Sequence, residues 1–289
     1  MSTMPPYFHH TRHRPGDPAR DVVSEYWVVQ AERCATSVER ALPDGSAELY
    51  FNLGPAGRHV VEAPSTRPPT RQPPPRAAWV VGPRDAPLLV AKETVDCDIV
   101  GVRLRAGAVA RLLGVPAGEL AGRLVDLDCL WGSAVGEIRE RLAAAGSVEE
   151  RVRVVERAVL RRCAPVAVDD AGARARALCA ALAAPGASVA DVGAAFGISA
   201  HRLIRLFDHQ VGLKPKTYQR IRRLRHLMAV AGATPRPAWA ELAATLGYHD
   251  QAHMIHDFRR LTGLTPGEYA ARRTSVGVGF VPHVRAPGA

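Results

Sequence analysis

Residues 245–258, with the sequence "TLGYHDQAHMIHDF", bring together five side chains that could do chemistry: His249, Asp250, His253, His256 and Asp257. Imidazole and carboxylate groups bind zinc and transfer protons. His253 and His256 are about one helical turn apart, and His253 and Asp257 have i, i+4 spacing. The run could therefore be a metal site, a catalytic cluster or the exposed face of a helix, and the surrounding elements decide among these interpretations.

Other candidate metal ligands are scattered along the chain. His9, His10 and His13 could suggest the metal site of a cupin-type barrel, but they lie in a proline-rich terminus without a His-x-His spacing downstream, which favours a solvated tail. The five cysteines are widely spaced and form no C-x-x-C pair, so we expect reduced, mostly buried thiols without a disulfide framework or zinc site. They are Cys34, Cys97, Cys129, Cys163 and Cys179.

The charge of the chain is distributed unevenly. The 289 residues are enough for two domains, and the formal net charge is +10. Residues 1–170 carry 22 Lys/Arg and 22 Asp/Glu, whereas residues 171–289 carry 16 and 6, so the C-terminal part holds the whole excess. Such a basic half indicates a polyanionic partner, nucleic acid before membrane; a basic surface without a partner is the alternative. The polar N-terminus and the lack of an apolar run of about 18 residues predict a cytoplasmic protein.

The first hundred residues have the pattern of strands and turns. Short runs rich in β-branched and aromatic residues are bounded by Gly and Pro, and a Pro-Asp-Gly turn opens one of them. These runs, residues 21–30, 42–54, 77–83 and 98–104, predict a small β-barrel or sandwich. Residues 63–77 contain too many prolines to pair in a sheet, so we expect a surface loop there.

The apolar residues of the next segments have the spacing of helices. Residues 133–146 place Val135, Ile138 and Leu142 on one face, and residues 147–162 space four valines similarly, with Ser147 and Glu150 as a capping box. These helices either cover the sheet or pair with a second subunit, and the two roles are compatible. Residues 164–173 are the expected linker to the basic half.

The basic half contains an internal repeat. Residues 189–218 match residues 239–269, with five pairs of equivalent positions. The pairs are Gly197 and Gly247, Phe207 and Phe258, Gly212 and Gly263, Pro215 and Pro266, and Tyr218 and Tyr269. The offset changes from 50 to 51 after the first pair, so the second copy has one more residue in its turn.

Each copy has the pattern of two short helices around a sharp turn. In the first, Ser188 caps a helix, Gly197 ends it in a left-handed conformation and Ser199 caps the next helix. In the second, Gly247 ends the first helix and Asp250 caps the second. This is a helix-turn-helix twice, a motif whose second helix enters the major groove of DNA.

The segment between the two copies supports this interpretation. An apolar stripe of Tyr218, Ile221, Leu224 and Met228 predicts one helix, and arginines crowd its other faces. A helix of about 17 residues is roughly 26 Å long, which could hold the two units near the roughly 34 Å between successive major-groove faces.

The segments "VGLKPKTYQRIRRLRHLM" and "LGYHDQAHMIHDFRRLTGLTPGEY" together resemble the DNA-binding domain of the AraC/XylS family of bacterial transcription regulators. The resemblance spans about residues 170–273, and "ALPDGSAELYFNLG" and "GVRLRAGAVARLLGVPAGEL" are similar to sensor portions found in that family. It implies a sensor or dimerisation domain in residues 1–165 and a DNA-binding domain in residues 166–289, with helix-turn-helix units at about 188–210 and 238–262. It also implies a cytoplasmic activator or repressor, often dimeric, that responds to a small effector.

The predicted fold class is therefore α+β. We expect an N-terminal β-barrel or sandwich-like domain with following helices, and a C-terminal all-α domain with two helix-turn-helix motifs joined by a linker helix. Double-stranded DNA is the predicted partner, with a small-molecule effector and a homodimer as further possibilities, and no membrane, metal, cofactor or catalytic residue is expected.

The resemblance also assigns roles to individual positions. The positions that the resemblance presents to DNA are His201, Arg202 and Arg205 in the first recognition helix, about 200–210, and Gln251, Ala252, His253, Ile255 and His256 in the second, about 251–262. The candidate base readers among them are His201, Arg202, Arg205, Gln251, His253 and His256. Arginine can bind guanine through two hydrogen bonds and glutamine can read adenine, which agrees with Arg205 and Gln251. The residues placed for phosphates are Ser199, Lys214, Lys216, Arg222, Arg259 and Arg260. His256 departs from the arginine that the family commonly has, and a neutral imidazole offers one donor and one acceptor.

Two other functions remain as alternatives. A DNA-repair enzyme that transfers alkyl groups would need an activated thiolate, and only Cys34 and Cys163 lie beside an arginine in sequence. An architectural DNA binder without an effector would bind promoter and random DNA equally at every salt concentration. In the interpretation that we favour, His253 and His256 face DNA rather than a metal ion.

Overall fold

A computed structural model describes residues 7–32, 37–55, 58–60, 77–92, 96–163, 170–233, 237–272 and 280–282. The predicted loop at 63–77 lies almost wholly outside the described residues, as do Cys34 and most of the predicted linker at 164–173. No described helix is both long enough and apolar enough to cross a membrane.

Two antiparallel sheets form most of the N-terminal half. The six-stranded sheet has the order β1-β2-β8-β4-β6-β9 and the four-stranded sheet has the order β10-β3-β7-β5. The strands are β1 (Tyr7–His13), β2 (Val23–Glu32), β3 (Ser37–Ala41), β4 (Glu48–Asn52), β5 (Arg58–Val60), β6 (Ala78–Val81), β7 (Leu88–Lys92), β8 (Cys97–Leu104), β9 (Leu124–Asp126) and β10 (Phe280–Pro282). All four predicted strand segments contain a strand.

Alternate residues of the six-stranded sheet enter two different cores. Val28 and Val100 pack with the N-terminal helices, whereas Trp27, Trp79 and Ile99 form a separate apolar cluster on the opposite face. This is the period-2 burial of a sheet covered on both sides. Among the described residues the strands make two sheets and not one closed barrel, so the barrel alternative was wrong and the N-terminal part is a sheet-rich domain.

The histidines near the N-terminus lie in a strand and not in a solvated tail. Strand β1 pairs with β2 over seven residues, from Tyr7 opposite Glu32 to His13 opposite Tyr26. The expectation of a tail was wrong because the strand forms by pairing with β2, and local proline content does not reveal that pairing.

Five helices cover one face of the six-stranded sheet. They are α1 (Val109–Leu113), α2 (Ala117–Leu120), α3 (Asp128–Trp131), α4 (Ala134–Ala144) and α5 (Val148–Cys163). Val135, Ile138 and Leu142 of α4 are buried in the same core as Val155 and Val159 of α5. The predicted apolar faces of α4 and α5 are therefore covered within the chain.

Seven helices make up the basic half. They are α6 (Asp170–Ala183), α7 (Val189–Ala195), α8 (Ala200–Gln210), α9 (Pro215–Gly232), α10 (Trp239–Thr245), α11 (Gln251–Thr262) and α12 (Pro266–Arg272). Their buried residues form one apolar core with the four stripe residues of α9 at its centre. The fold class is the predicted one, except that β10, after the last helix, pairs with β3 of the N-terminal half.

Candidate DNA interface

The first helix-turn-helix consists of α7 and α8. The hydroxyl of Ser188 accepts a hydrogen bond from the Asp191 amide at 3.0 Å and starts α7, and Gly197 follows its end with φ of +59°. The hydroxyl of Ser199 then accepts from the Arg202 amide at 3.4 Å and starts α8. The turn needs a positive φ, which glycine adopts at no steric cost, so local chemistry determines where both helices begin and end.

The second helix-turn-helix consists of α10 and α11. Gly247 has φ of +72° after α10, and Oδ1 of Asp250 accepts a hydrogen bond from the His253 amide at 2.7 Å to cap α11. Hydrogen bonds from the His253 backbone amide and from the ring Nδ1 of His249 hold the pKa of the Asp250 carboxyl below its ordinary value. Asp250 is therefore an anionic cap, whereas its counterpart in the first unit, Ser199, is neutral.

The buried faces of the two recognition helices are equivalent. Leu203 and Phe207 of α8 are 1% and 0% exposed, and Met254 and Phe258 of α11 are both 0% exposed. After each helix, a tyrosine ring packs against the phenylalanine: Tyr218 lies 6.0 Å from Phe207 and Tyr269 lies 5.5 Å from Phe258, centroid to centroid. These contacts fix which face of each helix remains for a partner.

Five of the six candidate base-reading side chains face solvent. His201, Arg202 and Arg205 are exposed on α8, and Gln251 and His256 are exposed on α11. None of these five side chains makes a hydrogen bond or salt bridge to another described residue. Their donors and acceptors are free to bind base edges.

His253 differs from the other candidates because its ring is held within the protein. The side chain is 37% exposed, its Nε2 lies 3.6 Å from Oδ2 of Asp257, and its ring packs edge-on against Tyr248 at 5.5 Å between centroids. On the other side of Asp257, Nε of Arg220 lies 3.7 Å from Oδ1. The imidazole is therefore held by contacts within the protein, and only part of the ring remains exposed for contact with DNA.

The carboxylate of Asp257 is an unexpected member of this cluster. The side chain is 1% exposed, and neither oxygen makes a hydrogen bond within the described residues. Its ion pairs tie the second recognition helix to α9 through Arg220. Sequence reasoning treated Asp257 only as a possible ligand; its i, i+4 spacing from His253 was the available signal.

The candidate phosphate-binding residues surround the two recognition helices. All six are exposed: Ser199, Lys214, Lys216, Arg222, Arg259 and Arg260. The five cations form no salt bridge with another described residue. Within the described residues, no group of three or more His, Cys, Asp or Glu is arranged to hold a metal ion.

The N-terminal half contacts the C-terminal ends of both recognition helices. At α8, the Gly107 amide donates to the Gln210 carbonyl at 3.1 Å, and a Cβ on Gly118 would lie 2.8 Å from Oδ1 of Asp208. At α11, the Arg40 guanidinium donates to the Thr262 carbonyl at 3.0 Å. No sequence pattern identifies these contacts because they join residues about 90 or more positions apart.

The turn before β4 lies between the sheet and the linker helix. Burial opposes ionisation of Asp44, but the Arg103 guanidinium 3.0 Å away and hydrogen bonds from Ser46 hold its pKa below the ordinary value. Arg103 also binds Glu48 at 2.6 Å and Glu25 at 2.8 Å. This ionic cluster fixes the turn that places Gly45 against the linker helix.

Two of the four described cysteines, Cys163 and Cys179, do not have the environment of a reactive thiol. Burial raises the pKa of the Cys163 thiol even though Arg111 acts in the opposite direction, and burial raises the pKa of Cys179 to about 12. Cys97 is also buried, whereas Cys129 is exposed. Alkyl transfer needs a thiolate, so the raised pKa of Cys163 is unfavourable for that alternative.

Comparison with known families gives matches in both halves. A family described as a helix-turn-helix domain matches residues 192–272, and a domain of unknown function, DUF6597, matches residues 11–126. No curated protein matches the chain. The first match falls on the two helix-turn-helix units and the linker helix between them.

Several solved structures are similar to this chain. ToxT from Vibrio cholerae is 10% identical, over 92% of this chain and 97% of that chain, with a TM-score of 0.45. Unsaturated fatty acid bound wild-type ToxT from strain SCE256 is 9% identical, over 96% and 99%, with a TM-score of 0.46. A probable AraC family transcriptional regulator from Rhodopseudomonas palustris CGA009 is 25% identical over 33% of this chain and 88% of that chain, with a TM-score of 0.28.

Proposed function

We propose, from the premise that this chain belongs to the AraC/XylS family of bacterial transcription regulators, that it binds DNA sequence-specifically through α8 and α11. Base edges are read by His201, Arg202, Arg205, Gln251 and His256, with a smaller part for His253. Phosphates are bound by Ser199, Lys214, Lys216, Arg222, Arg259 and Arg260. The observation that carries the proposal is that the seven arginines and lysines named here are exposed and form no salt bridge with the described residues.

The electrostatics of the basic half favour this assignment. Phosphate contacts supply affinity without sequence information, and base contacts supply specificity. Cations already paired with carboxylates would have to break those pairs before binding a phosphate, whereas unpaired cations release counterions directly. The seven arginines and lysines among these residues are therefore ready to bind DNA.

Selection of bound fragments from the host genome tests the proposal. We expect a shared sequence motif with two half-sites about one helical turn apart, and a specific affinity at least about 10³-fold above that for random DNA at physiological salt. The salt dependence of binding should be reduced by about one unit of slope in Arg259→Ala. Equal affinity for selected and random DNA at every salt concentration would instead indicate an architectural DNA binder.

We further propose that residues 1–165 form a sensor or dimerisation domain whose state is transmitted to residues 166–289. Support comes from the contacts of Gly107, Gly118 and Arg40 with the ends of α8 and α11, since contacts of this kind can carry a change in the sheet to the two helices. A small effector would act by binding one arrangement of the two halves more tightly than another.

Native mass spectrometry of protein purified from its host tests this second proposal. A bound small molecule or a dimer mass is expected, and removal of the molecule or dilution of the dimer should change affinity for the selected DNA. A monomer without ligand, with the same DNA affinity at every protein concentration, would contradict it.

A further inference from the structure

One exposed apolar side chain lies in the middle of the first recognition helix. Ile204 is 50% exposed, and among the described residues only one other large apolar side chain, Val230, is classed as exposed. Ile204 shares the solvent-facing side of α8 with His201, Arg205 and Asp208 at i, i+3, i+4 and i+7 spacing. An isolated exposed isoleucine is common on protein surfaces, so its exposure alone has no functional meaning.

The internal repeat supplies an independent observation. The offset of 51 that relates Phe207 to Phe258 also relates Ile204 to Ile255, so both recognition helices carry isoleucine at the same position. Other exposed positions differ between the copies: His201 is matched by Ala252, and Arg205 is matched by His256. Ile255 is half-buried against the core of the basic half, whereas Ile204 has no such cover.

The chemistry of the major groove shows what such a side chain can recognise. Base edges there present hydrogen-bond donors and acceptors, and thymine alone adds an apolar group, its 5-methyl. A side chain without donor or acceptor cannot satisfy the polar edges and leaves them desolvated if it covers them. The isoleucine, which lies between a histidine and an arginine on this side of the helix, is therefore suited to contact the 5-methyl group of a thymine.

We propose that Ile204 is a specificity-determining residue that reads the 5-methyl group of a thymine in the first half-site, and that Ile255 makes a weaker contact of the same kind in the second. The inference rests on the proposed binding of DNA through α8 and α11. Arg202 and Arg205, which flank Ile204, supply the proposed hydrogen bonds to base edges, and the apolar contact of Ile204 adds discrimination in favour of thymine.

Uracil substitution tests the inference because uracil lacks only the methyl group. The probe is a duplex selected from a randomised library by the wild-type protein, with each thymine replaced in turn by uracil. Wild type should lose affinity by about fourfold at one thymine of the first half-site, as expected for the loss of one buried methyl group. Ile204→Ala should lose a similar factor on the thymine duplex and show no further loss on the uracil duplex.

Val230→Ala is the matched control, since Val230 is exposed but lies on the linker helix. It should retain the uracil penalty of wild type. If Ile204→Ala retains that penalty, or if the scan of the wild type shows no sensitive thymine in the first half-site, the inference is wrong. If instead no sequence is enriched in the selection, the proposed function itself fails, which separates the two outcomes.

Discussion

The two helix-turn-helix units have equivalent buried residues, their interiors, and different exposed residues, their exteriors. Phe207 and Phe258 are fully buried at equivalent positions, and each is followed by a glycine turn and a buried tyrosine. The exposed side of α8 carries Arg202 and Arg205, whereas the exposed positions of α11 that we propose for base reading hold Gln251 and His256, and neither is an arginine or a lysine. The repeat thus preserves the positions that set helix geometry and varies the positions that a partner would contact, so the first unit is the better suited to read guanine.

The units also differ in how they are attached to the rest of the protein. Leu206 of α8 corresponds to Asp257 of α11 at the same offset of 51, so a partly buried leucine in one unit is a buried carboxylate in the other. The carboxylate ties α11 to α9 through Arg220, and no such ion pair occupies the matched position of α8. The N-terminal half holds the ends of both helices. One unit is positioned mainly by apolar and backbone contacts, and the other also by ion pairs.

The largest effect is expected from the shared interior. Phe207→Ala and Phe258→Ala should each lower the free energy of unfolding by about 3–5 kcal/mol because both remove a fully buried ring from the same core. Urea unfolding followed by circular dichroism measures both values. A marked difference between them, or two separate transitions in either variant, would show that the interiors are not equivalent.

Substitutions at matched exposed positions of the two recognition helices should weaken DNA binding to different extents. Arg205→Ala is expected to weaken binding to the selected site by about 1–3 kcal/mol and to relax base preference at one position, because a guanidinium can make two hydrogen bonds to guanine. His256→Ala, at the matched position, should cost less than Arg205→Ala. Fluorescence anisotropy with the selected duplex measures both; equal losses on selected and random DNA would make Arg205 a phosphate contact.

A smaller effect in the opposite direction is expected from His256→Arg. This change gives the second unit the guanidinium that the first already has at the matched position, so affinity for DNA should rise by about 1 kcal/mol and its salt dependence should steepen by about one unit of slope. Titrations at several salt concentrations measure both quantities. Unchanged affinity and slope would mean that residue 256 does not approach DNA.

The smallest effect concerns the two helix caps and pH. The folded-state pKa of Asp250 is lowered. The stabilisation that the ionised carboxylate gives to the start of α11 is therefore complete above the unfolded pKa of about 3.9, and it is lost as the pH falls through the folded-state pKa. Ser199 does not titrate in this range. The hydrogen-exchange protection factor of the His253 amide should therefore fall below about pH 4 more than that of the Arg202 amide.

Asp250→Ser is the matched control for this prediction, since it gives the second unit the neutral cap of the first. The excess acid sensitivity of the His253 amide should disappear in this variant. If the variant keeps that sensitivity, the difference between the units has another origin.

Local sequence signals predicted the geometry of both units because the forces that set it are local. The caps at Ser188, Ser199 and Asp250 and the turn at Gly197 each depend on side-chain and backbone preferences within four residues. The turns and apolar stripes can therefore be predicted from the sequence alone.

Features that depend on contacts between different segments of the chain were not predicted. The strand at Tyr7–His13, the hydrogen bond from Arg40 to Thr262 and the burial of Asp257 all require knowledge of which segments meet. Helix α6 was also missed, because its alanine-rich sequence has a weak apolar period. The roles assigned to individual side chains at the DNA interface stay predictions until binding is measured.

The turn before β4 has a practical consequence for dissecting the protein. Leu42 is 3% exposed and belongs to the apolar core of the basic half, and Gly45 lies against the ring of Tyr218. A fragment that begins at residue 170 would lack this leucine, whose burial contributes about 1.5–3 kcal/mol, and would expose an apolar depression beside Tyr218. An expression fragment of the DNA-binding part should therefore carry a polar substitution in that apolar depression. Alternatively, the turn before β4 can be added as a separate peptide.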